Sequence, residues 1–192
     1  MMLHLLTPSP QRWLPVALSD LPALLLDHAH CEMKAVASAK SFAERYPENT
    51  QFVADMYALA EEEESHYDRV RAILEERGIA WVPAKKDRYV VHLLKQVRTP
   101  AKLRLIDRLL IASVIEGRSC ERLGLLADAF EEPALKCFYR ELFESEARHH
   151  GLFLEWARHF GGRKPVDERL AALVAYEAEY VSTKEPTPTV HG

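Results

Sequence analysis

The residues of this chain that could do chemistry form two carboxylate–imidazole pairs. Glu63-Glu64-Ser65-His66 and Glu146-Ala147-Arg148-His149 each set a glutamate and a histidine three residues apart, and a lone glutamate, Glu32 or Glu116, stands upstream of each pair. On an α-helix, positions i and i+3 share a face, so each pair can grip one metal ion, and two pairs suggest two ions. Four carboxylates with two imidazoles suit iron or manganese, whereas a thiolate zinc or iron–sulfur site would want cysteine in the set. Two carboxylate-bridged ferrous ions can together reduce O2, a chemistry that favours iron over manganese.

Those residues need four helices to carry them. Glycine is sparse, 7 in 192 residues, and 48% of the chain is hydrophobic, which favours a helical protein with a substantial core. A first helix is expected from Ser19 or Asp20, with Pro22 in its first turn, to just before Tyr46-Pro47. Its stripe is Leu18, Leu25, Ala29, Glu32, Val36, Ala39 and Ala43. A second helix, capped by Asn49 or Thr50, runs to Arg77 and stops at Gly78. Its stripe is Phe52, Met56, Leu59, Glu63, His66, Val70 and Ile73.

Residues 79–99 then form a long connection with a short helix from Arg88 to Gln96. Thr99-Pro100 caps a third helix with the stripe Leu105, Leu109, Ala112, Glu116, Ser119, Leu123, Leu126 and Phe130. Glu131-Glu132-Pro133 starts a fourth, with Leu135, Tyr139, Leu142, Glu146, His149, Phe153, Trp156 and Phe160, which ends at Gly161-Gly162. A fifth helical segment, Val166 to Tyr180, is expected to pack outside the bundle. One Glu from each of two helices plus a Glu-x-x-His from each of two others is the ligand set of ferritin-like di-metal carboxylate bundles. The expected fold is therefore all-α: a ferritin-like four-helix bundle with a long crossover between its second and third helices and an extra C-terminal helix. Residues 1–183 make one domain, and the proline-rich segment 184–192 is expected to be disordered.

A single Glu-x-x-His is commonplace on a solvated helix face. Here all six candidate ligands replace apolar residues in core stripes, where a bare charge costs several kcal/mol. Asp27 and His30 share the three-residue spacing, but His30 is two residues from Glu32 and so points away from it; it is not expected to be a ligand. His150 falls outside its stripe, Tyr139 reads as a core aromatic, and the role of His28 stays open. Cys31, Cys120 and Cys137 have neither C-x-x-C nor C-x-x-H spacing and read as reduced thiols, with Cys120 one turn after Glu116.

A net charge of −4 excludes a globally basic nucleic-acid binder but not a local patch. One strongly basic block exists: Lys85, Lys86, Arg88, Lys95, Arg98, Lys102, Arg104 and Arg108, against Asp87 and Asp107. With Trp81, Tyr89 and His92 interleaved, it has the makings of a surface that holds phosphates and stacks a base. The first six of those basic residues are the candidate RNA contacts. No stretch approaches the ~18 apolar residues of a membrane span and none reads as a signal peptide, so a cytoplasmic location and no membrane partner are expected.

Three strings carry a resemblance: Asp27-His-Ala-His-Cys-Glu-Met-Lys34, Ile115-Glu-Gly-Arg-Ser-Cys-Glu-Arg122 and Ser145-Glu-Ala-Arg-His149. From about Leu5 to Val181 the chain resembles the MiaE family of tRNA hydroxylases, departing at Gly117, where alanine is the commoner small residue. The resemblance implies a nonheme diiron monooxygenase that hydroxylates the isopentenyl group of 2-methylthio-N6-isopentenyladenosine beside the anticodon. It implies two iron ions, O2 as co-substrate and electrons from an unidentified reductase or carrier. It makes Glu32, Glu63, His66, Glu116, Glu146 and His149 the iron ligands and the tRNA anticodon loop the partner. The alternative with the same site is a ferritin-like iron-storage or peroxide-scavenging protein. Storage requires a large hollow cage, and a small assembly is expected instead.

Overall fold

The computed structural model describes residues 3–192 and is all-α, as expected. Seven helices are formed among the described residues: α1 Trp13–Ser19, α2 Leu21–Arg45, α3 Thr50–Glu76, α4 Arg88–Leu94, α5 Ala101–Ala129, α6 Pro133–Gly161 and α7 Arg163–Thr183. Contacts gather into two compact units, where the sequence reading has a single domain. One takes residues 16–86 with 188–190, and the other takes 87–187, the described chain up to Pro15, and 191–192.

In the first unit α2 and α3 form a helical hairpin. Asp20 caps α2 by accepting the Ala23 N–H, and Asn49 caps α3 by accepting that of Phe52. The break before Asp20 leaves Leu18 in the separate helix α1, so Leu18 is not part of the α2 stripe as expected. Gly78, at φ +65°, takes the left-handed turn after α3 at no steric cost. Phe52, Met56, Leu59, Glu63, His66 and Val70 are all buried; at the far end Leu74 is buried and Ile73 half-buried. A seven-residue stripe drifts ~20° per heptad on a 3.6-residue helix, which moves the buried face by one position.

The second unit pairs α5 with α6 and packs α4 and α7 on them. Pro100 and Glu132 precede α5 and α6 without a side-chain cap, so the Thr99-Pro100 and Glu131-Glu132-Pro133 segments stop the preceding chain but leave the new helix uncapped. Gly162, at φ +79°, ends α6. α7 buries Val166, Leu170, Leu173, Val174, Glu177 and Val181, so the fifth helix is part of this unit's core. As a result α5 is covered nearly all round: from Ser113 to Gly124 only Ile115 and Glu121 are even half-exposed.

The covering is organised by a buried ion network. Arg118 Nε donates to Glu177 Oε1 at 2.8 Å and Nη2 to Glu177 Oε2 at 3.0 Å, with both side chains fully buried. Its remaining donors reach Glu121, Ser9 Oγ and the Thr7 carbonyl. One guanidinium thus ties α7 and the N-terminal segment to α5. Burial pulls the Arg118 pKa down, but the bonds to Glu177 and its charge outweigh that, and the group ends above its ordinary value. Residues 184–192, for which disorder is expected, form no helix, yet Val190 and His191 are buried. The Val190 N–H donates to Asp27 within the first unit. In the second, the His191 ring lies between Asp87 and Ser119, at 2.9 and 3.1 Å, and stacks on Tyr89.

Replacing Arg118 by Met strands the Glu177 charge in the core and should cost about 3–5 kcal/mol in urea denaturation, whereas Arg118→Met with Glu177→Leu should recover most of that loss. Equal destabilisation of the single and double variants would count against the pair as the organiser of this unit.

Candidate metal centre

In the first unit α2 presents Glu32 and α3 presents Glu63 and His66, all three buried. His66 Nδ1 lies 3.3 Å from Glu63 Oε2 and 3.9 Å from Glu32 Oε2. Each of the three offers a ligand atom within 4.8 Å of the others. In the second unit α5 presents Glu116 and α6 presents Glu146 and His149, again buried. His149 Nδ1 lies 3.4 Å from Glu146 Oε2. Each Glu-x-x-His pair therefore turns one ring nitrogen and one carboxylate oxygen to the same point, as the i,i+3 spacing requires.

The donor set fits a divalent iron ion. Glu32, Glu63 and His66 bring two carboxylates and one imidazole together, and Glu146 and His149 bring one of each, with Glu116 buried on α5; these are the oxygen and nitrogen donors that iron and manganese take, and Met56, Leu59 and Val70 on α3 and Leu142 and Phe153 on α6 flank the pairs with buried apolar side chains. Cys120 adds a second constraint. Burial first, and then the charges of Glu146, Glu121 and Glu116, push its thiol up to about 12, and its Sγ donates to the Phe143 carbonyl at 3.2 Å. It is held as a neutral thiol, the poor ligand form.

The neighbouring residues fall where simple helix geometry puts them. His30 Nε2 bonds the Val82 carbonyl at 2.8 Å, away from Glu32. Tyr139 is fully buried with its ring against Phe130 and Phe138. His150, outside its stripe, is nevertheless buried, against Ser113 and His4. Gly117 has a steric reason to differ from alanine: a Cβ there would stand 3.1 Å from the Leu3 carbonyl and 3.2 Å from His150 Nδ1. Of two further neighbours, the sequence leaves Ser145 unnoticed and the role of His28 open. Ser145, buried four residues before His149, sets its Oγ 3.4 Å from His149 Nε2, and His28 lies against Glu32. Both share a helix face with a candidate ligand, at i,i+4 spacing.

The basic block divides. Lys85, Lys86, Arg88, Lys95 and Lys102 are exposed. Arg98 is committed elsewhere: its Nε and Nη2 each donate to Asp107 at 2.7 Å, and Asp107 also accepts from Arg169. Of the interleaved aromatics, Trp81 is 38% exposed. Tyr89 is buried with its hydroxyl on Glu177, and His92 is stacked on Tyr176 at 4.1 Å. The expectation that Tyr89 could stack a base is corrected, because α7 covers it. No helix among the described residues is long and apolar enough to cross a membrane.

Comparison with known proteins places this arrangement. A solved structure titled protein 43 with aldehyde deformylating oxygenase activity, from Synechococcus, matches with a TM-score of 0.92 at 32% identity, over 98% of this chain and 95% of that one. The ferritin-like helical fold is thereby established. A tRNA 2-(methylsulfanyl)-N(6)-isopentenyladenosine(37) hydroxylase of Pseudomonas putida is 33% identical over 184 residues, 96% of this chain and 89% of the relative. The Salmonella typhimurium protein of the same name is 30% identical over 90% of this chain and 80% of its own length. The family model described as tRNA-(ms2io6A)-hydroxylase (MiaE) matches residues 1–192, and with buried Glu-x-x-His pairs at the expected positions the chain belongs to the MiaE family.

Proposed function

We propose that this protein is a diiron monooxygenase that hydroxylates the isopentenyl group of 2-methylthio-N6-isopentenyladenosine next to the anticodon of tRNA, using O2 and electrons from an external donor. The observation that carries the reading is the pair of buried Glu-x-x-His half-sites in a chain that belongs throughout to a family of tRNA hydroxylases. Glu32, Glu63 and His66 would hold one iron, and Glu116, Glu146 and His149 the other. The irons, when bound, supply the reduction of O2 that C–H hydroxylation requires. The protein's own part is to fix the donors on rigid helices. His66 and His149 turn Nδ1 toward the carboxylates, Ser145 stands against the remaining nitrogen of His149, and the apolar neighbours keep water from the site.

A single-stranded loop exposes its bases, so an anticodon nucleotide is a physically accessible substrate. Exposed Lys85, Lys86, Arg88, Lys95 and Lys102 are the proposed phosphate contacts, and Trp81 is the most exposed of the interleaved aromatic side chains. Arg98 is withdrawn from that set by its bonds to Asp107. The likeness to a deformylating oxygenase favours one competing reading, a small aldehyde as substrate of the same site.

Purified protein should bind two irons, and Glu116→Ala or His149→Ala should lose both full iron loading and hydroxylation. Metal analysis and mass spectrometry of tRNA nucleosides after incubation with iron, reductant and O2 check this; variants with full iron and activity would refute the ligand assignment. Turnover of a small aldehyde with tRNA left unmodified would favour the competing reading.

Charge reversal at Lys85, Lys86 and Arg88 should weaken tRNA binding and make the salt dependence shallower, by about 0.7 in the slope of log K against log salt per lost contact to a single-stranded phosphate. Reversal at Arg98 should lower thermal stability instead, since it leaves Asp107 buried beside a like charge. Unchanged affinity of the triple variant across salt concentrations would move the RNA surface elsewhere.

A further inference from the structure

The half-site on α2 and α3 leaves one buried imidazole unexplained. His28 precedes Glu32 by four residues, so the two lie one above the other on the same face of α2. It is 1% exposed and Glu32 is 5% exposed, and His28 Nε2 lies 2.7 Å from Glu32 Oε1. The other oxygen of the same carboxylate, Oε2, faces His66 Nδ1 at 3.9 Å. The two oxygens of Glu32 are therefore divided between two rings: one belongs to the Glu-x-x-His pair of α3, and the other lies on its own helix.

That division has a physical consequence. A glutamate reaches its carboxylate through three rotatable bonds, and a group that ligates a metal must be held within about 0.5 Å of its working position by neighbours that are themselves fixed. Packing alone fixes the stem but not the rotation of the terminal carboxylate, which is broad and two-fold about its last torsion. The two carboxylate oxygens are equivalent, so what a contact to one of them can fix is the angle of the carboxylate plane, and the 2.7 Å approach of the His28 ring to one oxygen supplies that contact. His28 is suited to this because its own ring is enclosed and its backbone lies within a long helix.

We propose that His28 is a positioning residue of the metal centre: it holds Glu32 Oε1 and thereby commits Oε2 to the side that faces His66, where the ion would lie. This rests on the reading of Glu32, Glu63 and His66 as metal ligands. It assigns His28 no bond to the metal.

The test uses Co(II) as a spectroscopic probe and Fe(II) under anaerobic conditions, on the full chain, with wild type, His28→Leu, His28→Gln and Glu63→Ala. Wild type should take two ions. The Leu variant should still take two at saturation, with affinity at one site lowered about 10- to 100-fold, the usual effect of removing a group that orients a ligand. It should also show a shifted Co(II) ligand-field spectrum. The Gln variant, whose amide N–H can reach the same oxygen, should restore affinity and spectrum in large part. Glu63→Ala should lose an ion altogether.

Wild-type affinity and spectrum in the Leu variant would overturn the proposal while leaving the metal centre intact. Loss of one ion in both the Leu and Gln variants, as in Glu63→Ala, would overturn it too, by making His28 a ligand. A wild-type protein that takes up no metal would sink the metal-centre reading and this inference together. Thermal unfolding of the metal-free forms monitors folding, and if the Leu variant does not fold, the Gln variant against His28→Asn, whose shorter amide falls short of Oε1, carries the comparison.

Discussion

A carboxylate taken out of water into a helix pair costs several kcal/mol unless matched charge or hydrogen bonds meet it, and the described residues bury six of them: Glu32, Glu63, Asp107, Glu116, Glu146 and Glu177. How five of them, all but Glu116, are met separates architecture from chemistry. Glu177 and Asp107 face guanidinium groups, whose planar forks take both carboxylate oxygens and whose charge is permanent. Such pairs are closed and can only hold the fold. Glu32, Glu63 and Glu146 face imidazole nitrogens at 2.7–3.9 Å. An imidazole can surrender its proton and share a cation with the carboxylate, so these groups stay open to chemistry.

The closed pairs serve the open ones. Arg118 sits two residues after Glu116, and by holding α7, Thr7 and Ser9 against α5 it sheathes the helix that carries that glutamate. Asp107 does the same nearer the start of α5, where it gathers Arg98 and Arg169. The covering explains why the buried surface of α5 is far wider than one stripe, and why Gly117, with the Leu3 carbonyl and His150 above it, leaves so little room for a side chain. A site built on a helix held from several sides can keep its donors in place through repeated turnover.

The basic block shows that linear charge is a poor map of available charge. Arg98 and Lys95 are three residues apart in the sequence, yet one is spent on a buried aspartate and the other is open to solvent. What remains exposed is a set of lysines with Arg88 and Arg104, and nothing in a composition count separates the two uses. Tyr89 shows the same for aromatics, since its hydroxyl is bonded inside the protein to Glu177.

The sequence by itself determined the helices after α1, narrowed the caps of α2 and α3 to Ser19 or Asp20 and Asn49 or Thr50, and determined the stops at Gly78 and Gly162 and the placing of Glu32, Glu63, His66, Glu116, Glu146 and His149 on buried faces. All of these follow from spacing and local backbone preference, which act over a few residues. Tertiary structure alone decided the fate of Arg98, Arg118, Tyr89, Val190 and His191, together with the one-position drift of the stripe at the end of α3. The partners that bury Arg118 and Tyr89 lie far away in the chain, 59 residues in the case of Arg118 and Glu177, and whether a polar or terminal residue is buried depends on what the folded chain brings over it rather than on its own neighbours.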